Sequence, residues 1–243
     1  MPHRLREIVE ASRRMVFFGG AGVSTESGIP DFRSATGLYQ QSSGLRWTPE
    51  QILSRSFFDA HTAEFFDYYR TRIVHQEAVP NAAHHALAAL ERAGRLSAVI
   101  TQNIDGLHTA AGSRRVLELH GTLRSNTCLG CGRRFGLFAV MSVTGVPRCD
   151  SCGGVIKPDV VLYEEPLDAG VIRATLDELA AADTLIVGGT SLRVYPAAGF
   201  VREFTGNQLV LINREATAFD SLATWVVRDS IADTLAPFAT WPD

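Results

Sequence analysis

Lysine is almost missing from this chain: of its 23 basic residues only Lys157 is a lysine, which reads as a bias of base composition rather than of mechanism. Positive charge is not in excess either. A net charge of −3 argues against a surface built to hold nucleic acid or an anionic membrane. No apolar run approaches the roughly 20 residues that span a bilayer. The opening MPHRLREIVEASRRMVFF interrupts its basic residues with acids and a helix-like pattern, so it does not read as a secretory leader, and the cytoplasm is the expected compartment. No internal repeat or low-complexity tract is visible. What the chain does have is apolar mass: 46% hydrophobic side chains in 243 residues can bury a sizeable core, in one large domain or a large and a small one.

Short β-branched or aromatic runs at 15–18 (MVFF), 98–101 (AVIT), 116–119 (VLEL), 184–189 (TLIVGG), 209–213 (LVLIN) and 225–227 (WVV) read as buried strands. Helix-like patterns lie between them, best at 61–76, 81–94 and 168–183, the second with Asn81 as N-cap and Gly94 as stop. The alternation predicts an α/β fold, a Rossmann-like doubly wound parallel sheet. Residues 124–157 break the pattern with Cys, Gly and Arg and read as a smaller inserted zinc-ribbon domain. The main domain is then 1–123 and 158–243, with part of 34–80 forming a helical cover that joins the small domain.

All four cysteines lie in the insert, as CLGC (Cys128, Cys131) and CDSC (Cys149, Cys152), with 17 residues between the pairs. Two thiolates in each tight turn can reach one tetrahedral ion, and Gly132 and Gly153 permit the turn. Two disulfides are the alternative, disfavoured in a reducing compartment. Four thiolates leave no open position, so one zinc ion here is structural rather than catalytic. A zinc ribbon can also bind nucleic acid, but only a modest set of arginines supports that.

After the first strand comes GGAGVSTESGIPDFR. Gly19, Gly20 and Gly22 let backbone amides approach a pyrophosphate, although the spelling departs from G-x-G-x-x-G and no acid ends a second strand some 20 positions later. Three more strand ends carry polar groups where an open α/β sheet forms its ligand crevice: TQNID (101–105), ELHG (118–121) and GGTS (188–191), with Asn213 as a fourth. His120, between a strand and Gly121, is expected at a sheet edge facing the crevice.

Together these stretches, with PNAAHHAL, KPDVVLYEE, GTSLRVYPAA and LINRE, resemble the sirtuin family of NAD-dependent protein lysine deacylases, bacterial type, from about residue 12 to 232. The resemblance implies a cleft between the Rossmann-type and zinc domains that takes NAD from one side and acyl-lysine from the other. It implies that Gly20, Ala21, Gly22, Thr25 and Arg33 wrap the phosphates and nearby ribose, and that Phe32 shields the reacting sugar from water. Gly28 and Pro30 suit a lid that changes shape as the cofactor is ordered. Ile104 and Asp105 would grip the nicotinamide carboxamide, with Gln102 and Asn103 as ribose partners. Thr190, Ser191 and Asn213 would hold phosphate and adenosine ribose, and Ile231 would pack near adenine. The acyl oxygen attacks the sugar as nicotinamide leaves, and His120, with Asn103 beside it, is the implied catalytic group, the imidazole acting as general base on a ribose hydroxyl. Substrate would add as an extended strand along VVLYEE, Val161 meeting the lysine amide and Tyr163 lining the channel.

The chain departs from the family pattern at Tyr163, Glu164 and Glu165, where many members have Phe-Gly-Glu. An acid at the glycine position could favour basic residues beside the acyl-lysine. Members that remove acidic acyl groups carry Tyr-x-x-Arg before the PNAAH helix; spacing to Pro80 matches those positions to Phe66 and Tyr69, which points to acetyl or another uncharged acyl group. ADP-ribosyl transfer, NAD hydrolysis and a non-catalytic NAD or ADP-ribose sensor are the rival readings, with His120 arguing for deacylation. The expected partner is an acyl-lysine protein or peptide, with no nucleic acid, no membrane and a monomer favoured.

Overall fold

The computed structural model describes residues 2–31, 37 and 46–241. Its strands are β1 Met15–Gly19, β2 Leu96–Thr101, β3 Val116–Glu118, β4 Gly121–Cys128, β5 Arg134–Gly136, β6 Ile156–Val160, β7 Thr184–Gly188, β8 Gln208–Ile212 and β9 Trp225–Val227. Six of them form one parallel sheet in the order β3-β2-β1-β7-β8-β9, and β5-β4-β6 form a small antiparallel sheet. The large sheet is doubly wound. Its order runs outward from β1 in both directions, so β1 and β7 flank a switch point where the chain crosses from one half to the other. The continuous apolar runs have the cause expected: every residue of β1 and β7 is buried, because both faces are covered.

One face carries α1 Pro2–Ala11 and, later in the chain, the helix Ala82–Arg92, which place Leu5, Val9, Leu87 and Leu90 on Phe17, Val99 and Ile186. The second of these helices begins as expected: the Asn81 side chain accepts from the Ala83 amide at 2.9 Å, while the Asn81 amide donates to His84 Nδ1 at 3.2 Å. On the other face, Ala169–Ala181 starts at Asp168, whose carboxylate accepts from the Val171 amide at 2.9 Å. Glu178 of that helix is buried yet satisfied, by Ser97 Oγ at 2.7 Å, Arg14 at 3.0 Å and Arg115 at 2.7 Å.

The helical reading of 61–76 is only partly met. A regular helix covers Thr62–Tyr68, and a wider π-helical turn follows over Tyr69–Ile73 before the backbone extends at Val74. Thr71 Oγ1 donates back to the Asp67 carbonyl at 2.7 Å, a local bond that competes with the helical ladder. The small sheet extends beyond 124–157 on both sides, from Gly121 to Val160. Its core is shared with the helical segments before it: Phe57, Phe58, Phe65, Phe66 and Tyr69 pack in one cluster with Leu123, Cys128, Cys149 and Val160. That shared cluster makes the helical cover and the small sheet one packed body.

Candidate active site

A cavity of about 920 Å3 opens outside the carboxyl ends of β1, β2, β7 and β8, where the switch point leaves a crevice. Gly20, Ala21, Gly22, Thr25, Gln102, Asn103, Ile104, Asp105, His120, Val161, Tyr163, Thr190, Ser191, Asn213 and Ile231 all line it. Phe32 and Arg33 lie outside the described residues.

Gly22 is needed here for proximity. Its amide donates to the Gly189 carbonyl at 2.7 Å, and a Cβ on it would come within 2.8–3.0 Å of the Gly189 backbone. The loop after β1 thus lies directly on the loop after β7. Gly20 is equally close to Thr190, whose Cβ a methyl there would meet at 2.7 Å. Thr190 Oγ1 accepts from Gln102 Nε2 at 3.0 Å and from the Leu192 amide at 3.2 Å, so the ends of β2 and β7 are tied together. Ile231 is buried at 5% exposure and belongs to the sheet's core, forming the cavity floor below Gly188. Asn213 Nδ2 is held by the Glu215 carbonyl at 2.9 Å.

His120 follows the edge strand β3. Its Nδ1 lies 2.9 Å from the Gln102 carbonyl, an acceptor only, so this nitrogen carries the proton and the other is left as a base. Burial lowers its pKa below the ordinary histidine value, partly offset by the Gln102 carbonyl. The imidazole is therefore neutral near pH 7.

Deeper in the cleft lies a polar triangle. Ser24 Oγ donates to Asp105 Oδ2 at 2.7 Å and accepts from Asn103 Nδ2 at 3.0 Å, while Asp105 Oδ1 accepts from the Leu107 amide at 2.8 Å. Burial raises the pKa of Asp105, and the Leu107 amide, Ser24 and Arg124 pull it back. Ser24 was not singled out in the sequence, because a serine inside a glycine loop carries no periodicity or spacing that sets it apart. Only its burial at 1% exposure between Asn103 and Asp105 gives it meaning.

On the opposite wall, the amides of Val161, Leu162 and Tyr163 already donate, to the His120 carbonyl, the Glu165 carboxylate and the Leu53 carbonyl at 2.9, 2.9 and 3.0 Å. The carbonyl of Val161 accepts no hydrogen bond among the described residues. Of the two positions matched by spacing, Phe66 is enclosed in the aromatic cluster, and Tyr69, buried in that cluster too, reaches the cavity wall, as does Arg72.

The four cysteines converge as the doublets suggested. Cys128, Cys131, Cys149 and Cys152 place their sulfurs within 4.8 Å of one another, with Cys128–Cys152 at 3.4 Å and Cys131–Cys149 at 3.7 Å. Those separations are far beyond a disulfide's roughly 2.05 Å and close to the edge of a tetrahedron with Zn–S bonds of about 2.3 Å. Gly132 and Gly153 take φ of 72° and 73° and return their amides to the Cys128 and Cys149 carbonyls, both at 2.9 Å. The donor set fits one zinc ion with no open position, and the cluster is not part of the cleft lining.

A family model described as the Sir2 family matches residues 20–196. An NAD-dependent protein deacetylase of Clostridium acetobutylicum is 54% identical over 234 residues, covering 96% of each chain. One from Cutibacterium acnes is 56% identical over 233 residues, 96% of this chain and 95% of that protein. A solved structure of a Sir2 with p53 peptide and NAD+ is 36% identical, with a TM-score of 0.85, covering 98% of this chain and 96% of that one. A match over most of the sheet and the cleft, at this identity and nearly full length, makes the chain a member of the Sir2 family.

Proposed function

We propose that the chain is an NAD-dependent protein lysine deacetylase that transfers the acyl group of a modified lysine to ADP-ribose and releases nicotinamide. The observation that carries this reading is His120, neutral, with its proton committed to the Gln102 carbonyl and its free nitrogen available to the cleft. NAD supplies an activated sugar whose bond to nicotinamide is the one broken. The chain's residues then do the rest. The Gly20–Gly22 turn offers the Ala21 amide to a phosphate, and Thr190, Ser191 and Asn213 face the same cavity from the β7 and β8 ends. Ser24, Asn103 and Asp105 form a preset polar wall for a carboxamide or ribose, with no reorganisation needed. His120 removes a hydroxyl proton. The Val161 carbonyl is the acceptor for the substrate lysine's amide, and the small zinc-held sheet supports that wall from behind. Four cysteines grouped for a metal rather than paired as disulfides suit a reducing compartment such as the cytoplasm.

A second reading concerns the acyl group. Tyr69 is buried with its hydroxyl unpartnered among the described residues, and Arg72 shares the same wall. A phenol and a guanidinium together suit a carboxylate at the far end of an acyl chain. Peptides bearing acetyl-, butyryl- or succinyl-lysine, each incubated with NAD and analysed by mass spectrometry, test both readings. Acetyl ADP-ribose is the expected product, faster succinyl turnover would favour the second reading, and free ADP-ribose with no acylated form would refute deacylation.

A further inference from the structure

Glu164 is one of two non-glycine residues among those described whose φ is positive, at 76°, the left-handed region that favours glycine. It stands where Tyr163 and Glu164 line both the main cleft and a neighbouring cavity of about 560 Å3, so it forms the lip between them. Its carboxylate is bonded to the helical cover. Oε2 accepts from the Ser56 amide at 2.9 Å and Oε1 from the Ser56 hydroxyl at 3.0 Å. The adjoining backbone makes the same connection: the Tyr163 amide donates to the Leu53 carbonyl and the Arg55 amide donates to the Tyr163 carbonyl, both at 3.0 Å. Glu165 completes the clamp, bonded to Arg55, to the chain's one lysine, Lys157, and to the Leu162 amide, at 3.0, 3.0 and 2.9 Å.

We propose that Glu164 is a positioning residue that latches the acyl-lysine wall, residues 161–165, to the helical cover at Ser56, and so fixes the mouth of the peptide groove. The proposal rests on the deacetylase reading. An acid at this position therefore acts through geometry, and not as a charge that selects basic residues beside the acyl-lysine. A side chain in a left-handed conformation persists only where its surroundings hold it, and two bonds to one serine do so here. The carboxylate bonds to Ser56 and not to His120 or to the strand-end residues read as the NAD site, so loss of the latch should loosen peptide binding and leave the chemical step intact.

The test is steady-state kinetics with an acetyl-lysine peptide and NAD. Glu164→Ala and Glu164→Gly should raise the peptide KM about tenfold, as expected for losing a charge-assisted pair of bonds. Their kcat at saturating peptide, KM for NAD and melting temperature should stay near the parent's. Glu164→Gln can still accept from Ser56 and should restore most of the affinity. Ser56→Ala should raise KM and add little in the Glu164→Ala background. The latch is overturned if Ala and Gly variants keep the parent KM, or if Gln behaves as badly as Ala. It is equally overturned if the parent prefers peptides with flanking arginine and Glu164→Gln abolishes that preference. A parent chain that releases no nicotinamide with any acyl-peptide refutes the deacetylase reading and the proposal with it, whereas an active parent with insensitive variants refutes the latch alone.

Discussion

Lowering the pH from 7.5 to 5.5 should destabilise this fold through two buried histidines. His84 and His108 lie with ring centroids 4.7 Å apart, at 0% and 1% exposure, and His108 is 6.1 Å from the Phe17 ring. His84 Nδ1 accepts from the Asn81 amide; its Nε2 and both nitrogens of His108 have no partner among the described residues. Burial, with a smaller push from His85, brings His84 down to about 4; burial, then His84, holds His108 well below the ordinary value. In the unfolded chain both titrate near 6.5. Below that pH the unfolded chain takes up protons that the native chain refuses, so the stabilisation is complete above about 6.5 and is lost as the pH falls toward 4. For His84 alone, the interval from pH 7.5 to 5.5 is worth on the order of 1 kcal/mol by linkage. Urea denaturation of the parent and of His84→Gln at both pH values measures it. Glutamine can keep the reciprocal bond to the Asn81 amide but does not titrate, so the variant should lose on the order of 1 kcal/mol less on acidification. Comparing the two chains cancels the titrating groups that do not face His84, the thiolates included, while His108 keeps in both the shift that burial gives it. An identical pH dependence in parent and variant would refute the buried neutral pair.

Three further outcomes follow from the site. His120→Ala should lower kcat by about 10²- to 10⁴-fold while NAD binding, read by calorimetry, survives; in the parent the activity should fall only below the ordinary histidine range, because burial lowers this pKa and the base is lost as the pH drops through it. Parent-like turnover in the variant would contradict the assignment. Gly22→Ala forces a Cβ against the Gly189 backbone, so the loops after β1 and β7 must separate; NAD affinity should weaken roughly tenfold, measured by titration, and unchanged affinity would mean the loops do not need that approach. Cys128→Ser should abolish the binding of one zinc per chain and unfold the small sheet, seen as lost protection from hydrogen exchange across β4 and β6, and a folded, active, zinc-free variant would show the ion dispensable.

Much of this could be seen in the residues before any fold was known. The strands of the large sheet were legible because burial on both faces demands unbroken apolar runs, and the N-cap at Asn81 because helix ends recruit their donors locally. The zinc cluster was legible for the same reason: two tight knuckles already hold their thiolates in pairs. The break after Tyr68 and the strands β4 and β6 were not, since a side-chain bond inside the helix leaves little periodic trace, β4 is polar and partly exposed, and β6, though mostly buried, is broken by Lys157, Pro158 and Asp159.

The sequence by itself determined the parallel sheet, the metal knuckles and the residues at the strand ends, because each depends on neighbours a few positions apart. Only the tertiary structure decided that Ser24 joins Asn103 to Asp105, that the Gln102 carbonyl chooses the tautomer of His120, and that Glu164 turns to Ser56. Those partners stand 79, 81, 18 and 108 positions apart. Hydrogen bonds act over about 3 Å, and which distant groups come that close is settled by how the layers pack.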